Sequence, residues 1–449
     1  MAAWQRLLED HDAERAWKVI DDIAQALRPK TENIDPTDDP GVAVGTAGLA
    51  LFYAYLGAET GNEEWTGLAH RFMEHSIDAL SDRPLLPDLY EGFTGIGWAL
   101  GQLQGMLFEE PDDDEDPDAD PIGESLVEVL RGRTFARGDF DLIGGLAGYG
   151  IYAFHALPRP AARRSLELLV QRLVEIGEPV DGGFSWFTPP EVLPDWLREK
   201  QPDGRYNLGV SHGVAAVISV LSMCAAAGVM SGEQRATLDR AVDWLLAQKQ
   251  NGKKWCFANS VVKGRPAGRD RLAWCYGDPG IAAALFTAAR HCGHAGWEAV
   301  ALEIAQTAAR RDMETSEIVD AALCHGSVGL AHLFNRMHQA SGDPLLAETA
   351  RAWYRHTVDM QRPGVGIAGY EFFAAPGWLP LTGYLPGLAG VGLGLLAGVS
   401  SREPAWDQFL AVSVPLEQRL SAPAATPSAG AADRREPARA GAHPSGSAG

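Results

Sequence analysis

A short glycine-containing element that opens an apolar segment recurs along the chain. The residues that follow it are mostly small or aliphatic and carry few charges. The first glycines of successive copies lie 47 to 68 residues apart, and similarity at such a period is typical of repeat architectures. This spacing leaves room for two helices and two loops in each unit. The seven copies read GTAGLALFYAYL from Gly45, GFTGIGWALG from Gly92, GLAGYGIYAF from Gly145, HGVAAVISVL from His212, YGDPGIAAALF from Tyr276, HGSVGLAHLF from His325 and PGLAGVGLGLL from Pro386, with Ala216 replacing the second glycine in the fourth.

Amphipathic segments alternate with these apolar ones. Between 161 and 176, aliphatic residues recur at i, i+3, i+4, i+7 and i+8, which predicts a helix with one buried face. Ser231 and Gln234 have the spacing of a capping box before a second such helix. Asp343 followed by Pro344 predicts the start of a third, because proline is favoured at the first helical position. The chain thus alternates between helices expected to be buried on all sides and helices expected to be exposed on one.

This alternation predicts an all-α fold. Seven inner helices surrounded by outer helices make a double ring, so we predict an α/α toroid of seven helical hairpins over residues 1–420. Small residues at the inner helix starts allow backbones to approach closely around the axis. The alternative is an open α-solenoid with a polar capping repeat at each end.

Two long stretches are nearly free of charge. Residues 372–401 contain no charged side chain, and residues 206–232 contain only His212. Each is long enough to cross a bilayer. The first, however, is interrupted by prolines and glycines, and the second follows a polar loop. We therefore predict that both contain helices buried inside the protein.

Three segments lie outside the repeat. Residues 109–120 hold nine carboxylates and indicate a solvated, disordered loop, because no spaced ligand pattern supports a calcium site. Residues 182–206 contain Trp186, Trp196 and a Pro-Pro pair, and are predicted to be an elaborated loop or a small insertion over the ring. Residues 421–449 are rich in Ala, Pro, Ser and Gly, and predict a disordered tail.

Composition excludes several classes of partner. The 449 residues include 38 Lys and Arg against 59 Asp and Glu, a formal net charge of −21, which disfavours nucleic acid and anionic membranes. The five cysteines are scattered and odd in number, as expected in a reducing compartment. The first residues have no basic and apolar signal-peptide pattern, so we expect a cytoplasmic protein.

Candidate chemistry lies at the starts of the apolar helices. Cys275 precedes the fifth element, and Cys324 and His325 lie at the sixth. Equivalent positions in a ring of repeats converge on one end of the axis, so these three side chains are expected to meet. Two thiolates and an imidazole suit tetrahedral Zn²⁺ and leave its fourth position open, as catalytic zinc sites do. The alternative is that both cysteines are small buried hydrophobes, as we expect for Cys224, Cys256 and Cys292.

Three further polar residues lie in equivalent places. His212 at the fourth element is either a core histidine or a general acid–base group, since its side chain titrates near neutral pH. Asp141 and Arg271 lie just upstream of the third and fifth elements. Their alternative role is a structural ion pair at the rim.

These combined motifs resemble the lanthionine synthetase C-like family, the cyclases of class I lanthipeptide biosynthesis. The resemblance covers about residues 40–400 and rests on the seven glycine elements, Trp274-Cys275-Tyr276-Gly277, Cys324-His325-Gly326 and Ser211-His212-Gly213. It implies an α/α toroid with one zinc ion held by Cys275, Cys324 and His325. It also implies that His212, Arg271, Asp141 and Tyr276 form the catalytic surround.

The implied reaction is the addition of a peptide cysteine to dehydroalanine or dehydrobutyrine, which forms a lanthionine or methyllanthionine thioether. A free thiol has a pKa of about 8.5, and metal coordination deprotonates it. Addition of the thiolate to the dehydro residue forms an enolate, which needs a proton at its α-carbon. His212 is the predicted donor of this proton. Arg271 is predicted to stabilise charge, and Asp141 to orient a neighbouring group.

Two other functions stay open at this point. One is a relative that adds glutathione to dehydroamino acids in proteins. The other is a scaffold that binds a leader peptide and partner enzymes around a structural metal, although structural zinc sites usually have four protein ligands. The expected partners are a dehydrated precursor peptide, a separate dehydratase, because the chain has no room for a fused one, and a transporter complex.

Overall fold

The computed structural model describes residues 3–32, 34–108, 118–250, 252–265, 268 and 271–416. The predicted disordered tail, 421–449, and most of the acidic segment, 109–120, lie outside these residues. Asp120 is described: its buried carboxylate caps a helix by accepting hydrogen bonds from the Gly123 N–H (2.9 Å) and the Tyr152 hydroxyl (2.6 Å).

The described residues contain fifteen α-helices and seven short strands. The helices are α1 (Asp10–Leu27), α2 (Thr46–Thr60), α3 (Glu63–Asp82), α4 (Phe93–Leu103), α5 (Pro121–Gly132), α6 (Leu146–His155), α7 (Pro160–Ile176), α8 (Asp195–Arg198), α9 (Val214–Ala226), α10 (Gly232–Ala247), α11 (Asp278–Cys292), α12 (Ala295–Ala309), α13 (Ser327–Ser341), α14 (Pro344–Asp359) and α15 (Leu388–Val399). The strands are β1 (Glu178–Val180), β2 (Gly183–Ser185), β3 (Phe187–Thr188), β4 (Arg205–Asn207), β5 (Ser260–Val261), β6 (Phe372–Ala374) and β7 (Gly377–Leu379).

The helices form a closed double ring. Each of the seven glycine elements opens an inner helix, namely α2, α4, α6, α9, α11, α13 and α15. The last inner helix, α15, packs against the first, α2, and the N-terminal helix α1 covers α15 from outside. The predicted α/α toroid is therefore confirmed, and the open solenoid is wrong.

Burial follows the predicted alternation. All twelve residues of α15 are buried, and so are the first twelve of α2. The outer helix α7 instead buries one face, formed by Leu166, Leu169, Val170 and Leu173 with smaller residues. The two uncharged stretches thus hold the buried helices α9 and α15, and no described helix has both the length and the apolar character needed to cross a bilayer.

The predicted helix caps are present. Ser231 Oγ accepts a hydrogen bond from the Gln234 N–H (3.3 Å), and Gln234 Oε1 accepts one from the Ser231 N–H (2.8 Å). Asp343 Oδ1 accepts from the N–H groups of Leu345 and Leu346 at the start of α14. Each cap satisfies backbone donors that a helix start leaves without partners.

The second glycine of the repeated element lets the preceding loop fold onto its own helix. A Cβ atom added to Gly280 would overlap the carbonyl oxygen of Trp274, and one added to Gly329 would overlap that of Leu323. The loop before each inner helix therefore turns back over the helix start, and it brings the residues before the first glycine to the axis of the ring.

These loops are joined by a chain of backbone hydrogen bonds around the axis. Each bond links residues that lie two positions before the first glycine of their elements. In order from donor N–H to acceptor carbonyl, the bonds are Ser211 to Cys275 (3.4 Å), Cys275 to Cys324 (3.3 Å), Cys324 to Leu385 (3.2 Å), Leu385 to Ala43 (3.0 Å) and Ala43 to Tyr90 (3.0 Å). We call this arrangement the axial backbone ring.

The C-terminal part of the described chain fills the centre of the toroid. We call residues 405–416 the axial segment; it begins with a 3-10 turn, Ala405–Leu410. Its carbonyls accept hydrogen bonds from the Trp274 indole (2.9 Å, at Leu410), the Tyr90 hydroxyl (3.1 Å, at Phe409) and the Tyr384 hydroxyl (3.2 Å, at Trp406). Because Trp274 precedes Cys275, the axial segment supports the loops that carry the candidate chemistry.

The strands lie in the connecting segments. β1 pairs with β2, β4 pairs with both β3 and β5, and β6 pairs with β7, all antiparallel. The predicted insertion at 182–206 thus consists of short strands and the single turn α8. Trp186 in it is fully buried, whereas the side chain of Trp196 is 62% exposed.

Candidate metal centre

The three predicted metal ligands come together at one end of the axis. Cys275 and Cys324 occupy the same position of consecutive repeats, and the axial backbone ring joins them directly. His325 directly follows Cys324 in the same loop. One potential ligand atom from each of the three residues lies within 4.8 Å of the others, and no second group of this kind occurs in the described part of the chain.

This donor set fits a zinc ion. Two sulfurs and one imidazole nitrogen at this separation match three corners of a tetrahedron, with no fourth protein ligand in the group. The nearest carboxylate is that of Asp320, whose Oδ2 lies 3.7 Å from His325 Nε2. The Asp320 oxygens already accept hydrogen bonds from the N–H groups of Ala322 (3.1 Å) and Phe373 (3.0 Å). The Asp320 carboxylate is therefore held by the backbone next to the imidazole, and it is not one of the three grouped ligands.

The electrostatics of the two thiols differ. A hydrogen bond with Cys324 holds the pKa of the Cys275 thiol well below its usual value against the effect of burial, and His325 and Arg271 lower it further. The same hydrogen bond, together with burial, raises the pKa of the Cys324 thiol. The pair thus favours one thiolate even without a bound cation, and the positive charge of Arg271 acts on both sulfurs.

His212 and Asp141 form a close pair, and the loop of His212 is joined to that of Cys275 by the hydrogen bond from the Ser211 N–H to the Cys275 carbonyl (3.4 Å). His212 Nδ1 lies 2.5 Å from Asp141 Oδ2, and the imidazole is 46% exposed. Asp141 Oδ1 accepts a hydrogen bond from the Gly144 N–H (3.0 Å), which fixes the carboxylate. Within the part of the chain that the structure describes, His212 Nε2 has no hydrogen-bond partner. The alternative that Asp141 pairs with Arg271 is wrong, because in the described residues its ionic partner is His212.

Tyr276 is held by two side chains that the sequence analysis missed. Its hydroxyl accepts hydrogen bonds from Arg205 Nη2 (3.2 Å) and Asn207 Nδ2 (3.3 Å) at the end of β4. Asn207 lies six residues before Gly213, and Asp320 and Arg271 have the same offset from Gly326 and Gly277. This shared offset was the signal in the sequence that could have identified Asn207 and Asp320.

All seven predicted site residues therefore lie in the loops that precede inner helices. The residue directly before the first glycine is His212, Tyr276 or His325 in three consecutive hairpins. The structure brings Cys275, Cys324 and His325 into one cluster, pairs His212 with Asp141, and holds Tyr276 through the end of β4. The arrangement combines a soft metal site with an exposed, carboxylate-oriented imidazole.

Comparison with known proteins identifies relatives of this arrangement. The sequence model of the family described as "Lanthionine synthetase C-like protein" matches residues 36–411. The nisin biosynthesis protein NisC of Lactococcus lactis subsp. lactis is 23% identical over 344 residues, which cover 71% of this chain and 79% of that protein. A solved structure of nisin cyclase matches with a TM-score of 0.69 at 20% identity, over 88% of this chain and 97% of that one, and so has the same fold.

Proposed function

The chain belongs to the lanthionine synthetase C-like family, whose sequence model spans residues 36–411, and from this premise we propose that it is a zinc-dependent lanthipeptide cyclase. The proposed substrate is a dehydrated precursor peptide, and the product is a lanthionine or methyllanthionine thioether ring. The observation that carries the proposal is the convergence of Cys275, Cys324 and His325 with no fourth protein ligand.

Cys275, Cys324 and His325 would hold one zinc ion per chain. A zinc ion held by these residues would lower the pKa of a substrate thiol and so favour the thiolate. Asp320 Oδ2 lies 3.7 Å from His325 Nε2, next to the imidazole that would ligate. Asp320 then stabilises the imidazole in the orientation that ligation needs.

Protons and bonds balance with the residues present. The substrate thiol gives its proton to solvent, its sulfur bonds to the β-carbon of the dehydro residue, and the electrons of the C=C double bond move to form an enolate. His212 takes up one proton from solvent before the step, so the net change is the addition of S–H across the double bond. His212 donates a proton from Nε2 to the α-carbon, because Nδ1 is engaged by Asp141. Asp141 stabilises the protonated imidazole and keeps its orientation. Arg271 supplies positive charge near the sulfur atoms.

The surroundings support a reactive site more than a structural one. Structural zinc sites usually have four protein ligands, whereas this cluster has three and lies beside a partly exposed histidine. A peptide substrate and a separate dehydratase follow from the proposed reaction, since the dehydro residues must be made beforehand.

The proposal is tested by metal analysis and by thiol consumption. Purified wild-type protein should contain about one zinc per chain. When it closes rings in a dehydrated peptide, the peptide's cysteines should no longer be alkylated, and the peptide mass should stay the same. Cys324→Ala should lose both properties, whereas Cys292→Ala, at a partly buried cysteine on α11, should keep both. Zinc-free, inactive wild-type protein would contradict the proposal.

A substrate control separates the related activity. If the protein adds glutathione to the dehydrated peptide faster than it consumes the peptide's own thiols, the glutathione-adding function replaces the cyclase. If zinc is bound but neither thiol reacts, the protein is a scaffold.

A further inference from the structure

Two carboxylates occupy the same position in neighbouring hairpins. Asp88 lies four residues before Gly92, and Asp141 lies four residues before Gly145. The Asp141 carboxylate points to the residue directly before the first glycine of the next hairpin, which is His212. By the repeat, the Asp88 carboxylate should point to the corresponding residue of its own next hairpin.

That corresponding residue is Gly144, which has no side chain. A Cβ atom built on Gly144 would lie 3.4 Å from Asp88 Oδ1 and 4.0 Å from Oδ2. Asp88 is thus placed toward Gly144 as Asp141 is placed toward His212, but Gly144 has no side chain where His212 has its imidazole. Within the described residues, the Asp88 carboxyl makes no hydrogen bond and no ion pair.

The charged groups around Asp88 disfavour its ionised form. Burial raises the pKa of Asp88 to about 6, with the negative charges of Glu91 and Asp141 adding to the effect and Arg133 opposing it. Arg133 is itself engaged with Asp139 (3.5 Å). Tyr149 on α6 also lies close enough for the Asp88 charge to raise its pKa. A substrate that covered Asp88 would add to its burial and would favour the protonated carboxyl further.

We propose that Asp88 is a further catalytic residue, which in its protonated form donates a hydrogen bond to the carbonyl oxygen of the dehydro residue in the space above Gly144. This inference rests on the proposed cyclase function. As sulfur adds to the β-carbon, negative charge develops on that carbonyl oxygen, and a neutral acid already in place stabilises it. The proton stays on Asp88 throughout, so His212 remains the donor to the α-carbon. A fixed donor to a developing oxyanion contributes about 10²- to 10³-fold in rate.

Because Gly144 has no side chain, the Asp88 carboxyl beside it is not covered by that residue. In the next three hairpins the equivalent position holds His212, Tyr276 and His325, whose side chains fill the space.

The test compares single-turnover cyclisation rates of Asp88→Ala and Asp88→Asn across pH 5 to 9. Asp88→Ala removes the donor and should slow cyclisation about 100-fold at low pH, with zinc content unchanged. Asp88→Asn keeps an N–H donor that does not titrate, so it should retain most of the activity. The wild-type rate should fall as Asp88 loses its proton at rising pH. That step should be missing from the pH profile of Asp88→Asn.

Glu91→Gln is the matched control. It removes a neighbouring negative charge that raises the pKa of Asp88, so the falling limb of the rate should remain and shift to lower pH. A role for Asp88 as an ionised carboxylate or a base would instead make Asp88→Asn as slow as Asp88→Ala, which would overturn the inference. An active wild type whose rate and falling limb both survive Asp88→Ala would overturn it as well. Wild-type protein that closes no ring at any pH would overturn the proposed function together with this inference.

Discussion

The backbone N–H of Cys275 donates a hydrogen bond to the carbonyl of Cys324 at 3.3 Å. Two residues 49 positions apart in the chain are thereby placed side by side by main-chain geometry alone. Because the same type of bond continues from Cys324 through Leu385 and Ala43 to Tyr90, the positions of the two sulfurs depend on the closure of the ring. The cluster of Cys275, Cys324 and His325 is therefore a property of the whole toroid.

Asp320 should control metal affinity. Its carboxylate lies 3.7 Å from His325 Nε2 and is held by two backbone N–H groups. Asp320→Asn weakens the orientation of the imidazole, and we expect it to reduce zinc affinity about 10- to 100-fold, measured by competition with a chelator.

The matched control is Asp39→Asn. Asp39 has the same offset from Gly45 as Asp320 has from Gly326, and its carboxylate accepts the Gly41 N–H (2.7 Å) in the first hairpin. Asp39→Asn should leave zinc affinity at the wild-type value. Equal losses in the two variants would show that the carboxylate acts on the loop and not on the metal.

Asp141 should control the rate without affecting the metal. Its carboxylate pairs with His212 at 2.5 Å and so keeps Nδ1 occupied and Nε2 available. Asp141→Asn should lower the cyclisation rate by about 10²- to 10⁴-fold, with the zinc content and the unfolding midpoint near those of the wild type. Asp139→Asn, two residues away, should retain most of the rate. Loss of zinc in Asp141→Asn would contradict the assigned role.

Asp407 should be essential for stability. It is completely buried and pairs with Arg336 Nε (2.7 Å) and His332 Nε2 (2.8 Å), both also buried. The Arg336 charge and the His332 hydrogen bond hold the pKa of Asp407 below its usual value although burial opposes them. Asp407→Leu leaves the Arg336 charge without this partner, so we expect a loss of about 3–5 kcal/mol in the free energy of unfolding, measured by urea denaturation.

Glu403→Gln provides the comparison for that loss. Glu403 also pairs with Arg336 (2.7 Å), but its side chain is 50% exposed. Screening by water makes such a pair worth at most about 1 kcal/mol. A cost as large for Glu403→Gln as for Asp407→Leu would show that burial does not decide the difference.

Stability should fall in mild acid. Burial lowers the pKa of His291 from 6.5 to about 4. The unfolded chain therefore takes up a proton at this histidine below pH 6.5, whereas the folded protein does not until about pH 4. The free energy of unfolding therefore has its full value with respect to His291 above pH 6.5. It decreases by roughly 3 kcal/mol as pH falls from 6.5 toward 4.

The measurement is urea unfolding of the wild type and of His291→Gln at pH 7 and pH 4.5. His291→Gln should lose less free energy of unfolding between the two pH values than the wild type. His11→Gln, at a side chain that is 81% exposed, should behave as the wild type. An unchanged pH dependence in His291→Gln would mean that other groups cause the acid sensitivity.

Much of the fold could be predicted from local pattern. The glycine elements mark seven inner helix starts because only a residue without a Cβ lets the loop carbonyl pack onto the helix, as at Gly280 and Gly329. The amphipathic period marks the outer helices, as in α7. The axial segment was not predicted, since nothing in its own sequence indicates that its carbonyls accept bonds from Trp274 and Tyr90.

The sequence by itself determined the number of inner helices, the alternation of buried and half-buried helices, and the loops that carry Cys275, Cys324 and His325. These follow from hydrophobic period and repeat position, which are properties of neighbouring residues. Only the tertiary structure decided that Asp141 pairs with His212. It also decided that Asp320 lies next to the His325 imidazole and that Asp88 faces Gly144. Closing a ring brings together residues from separate repeats, and the distance between them depends on helix packing around the axis, which no local pattern encodes.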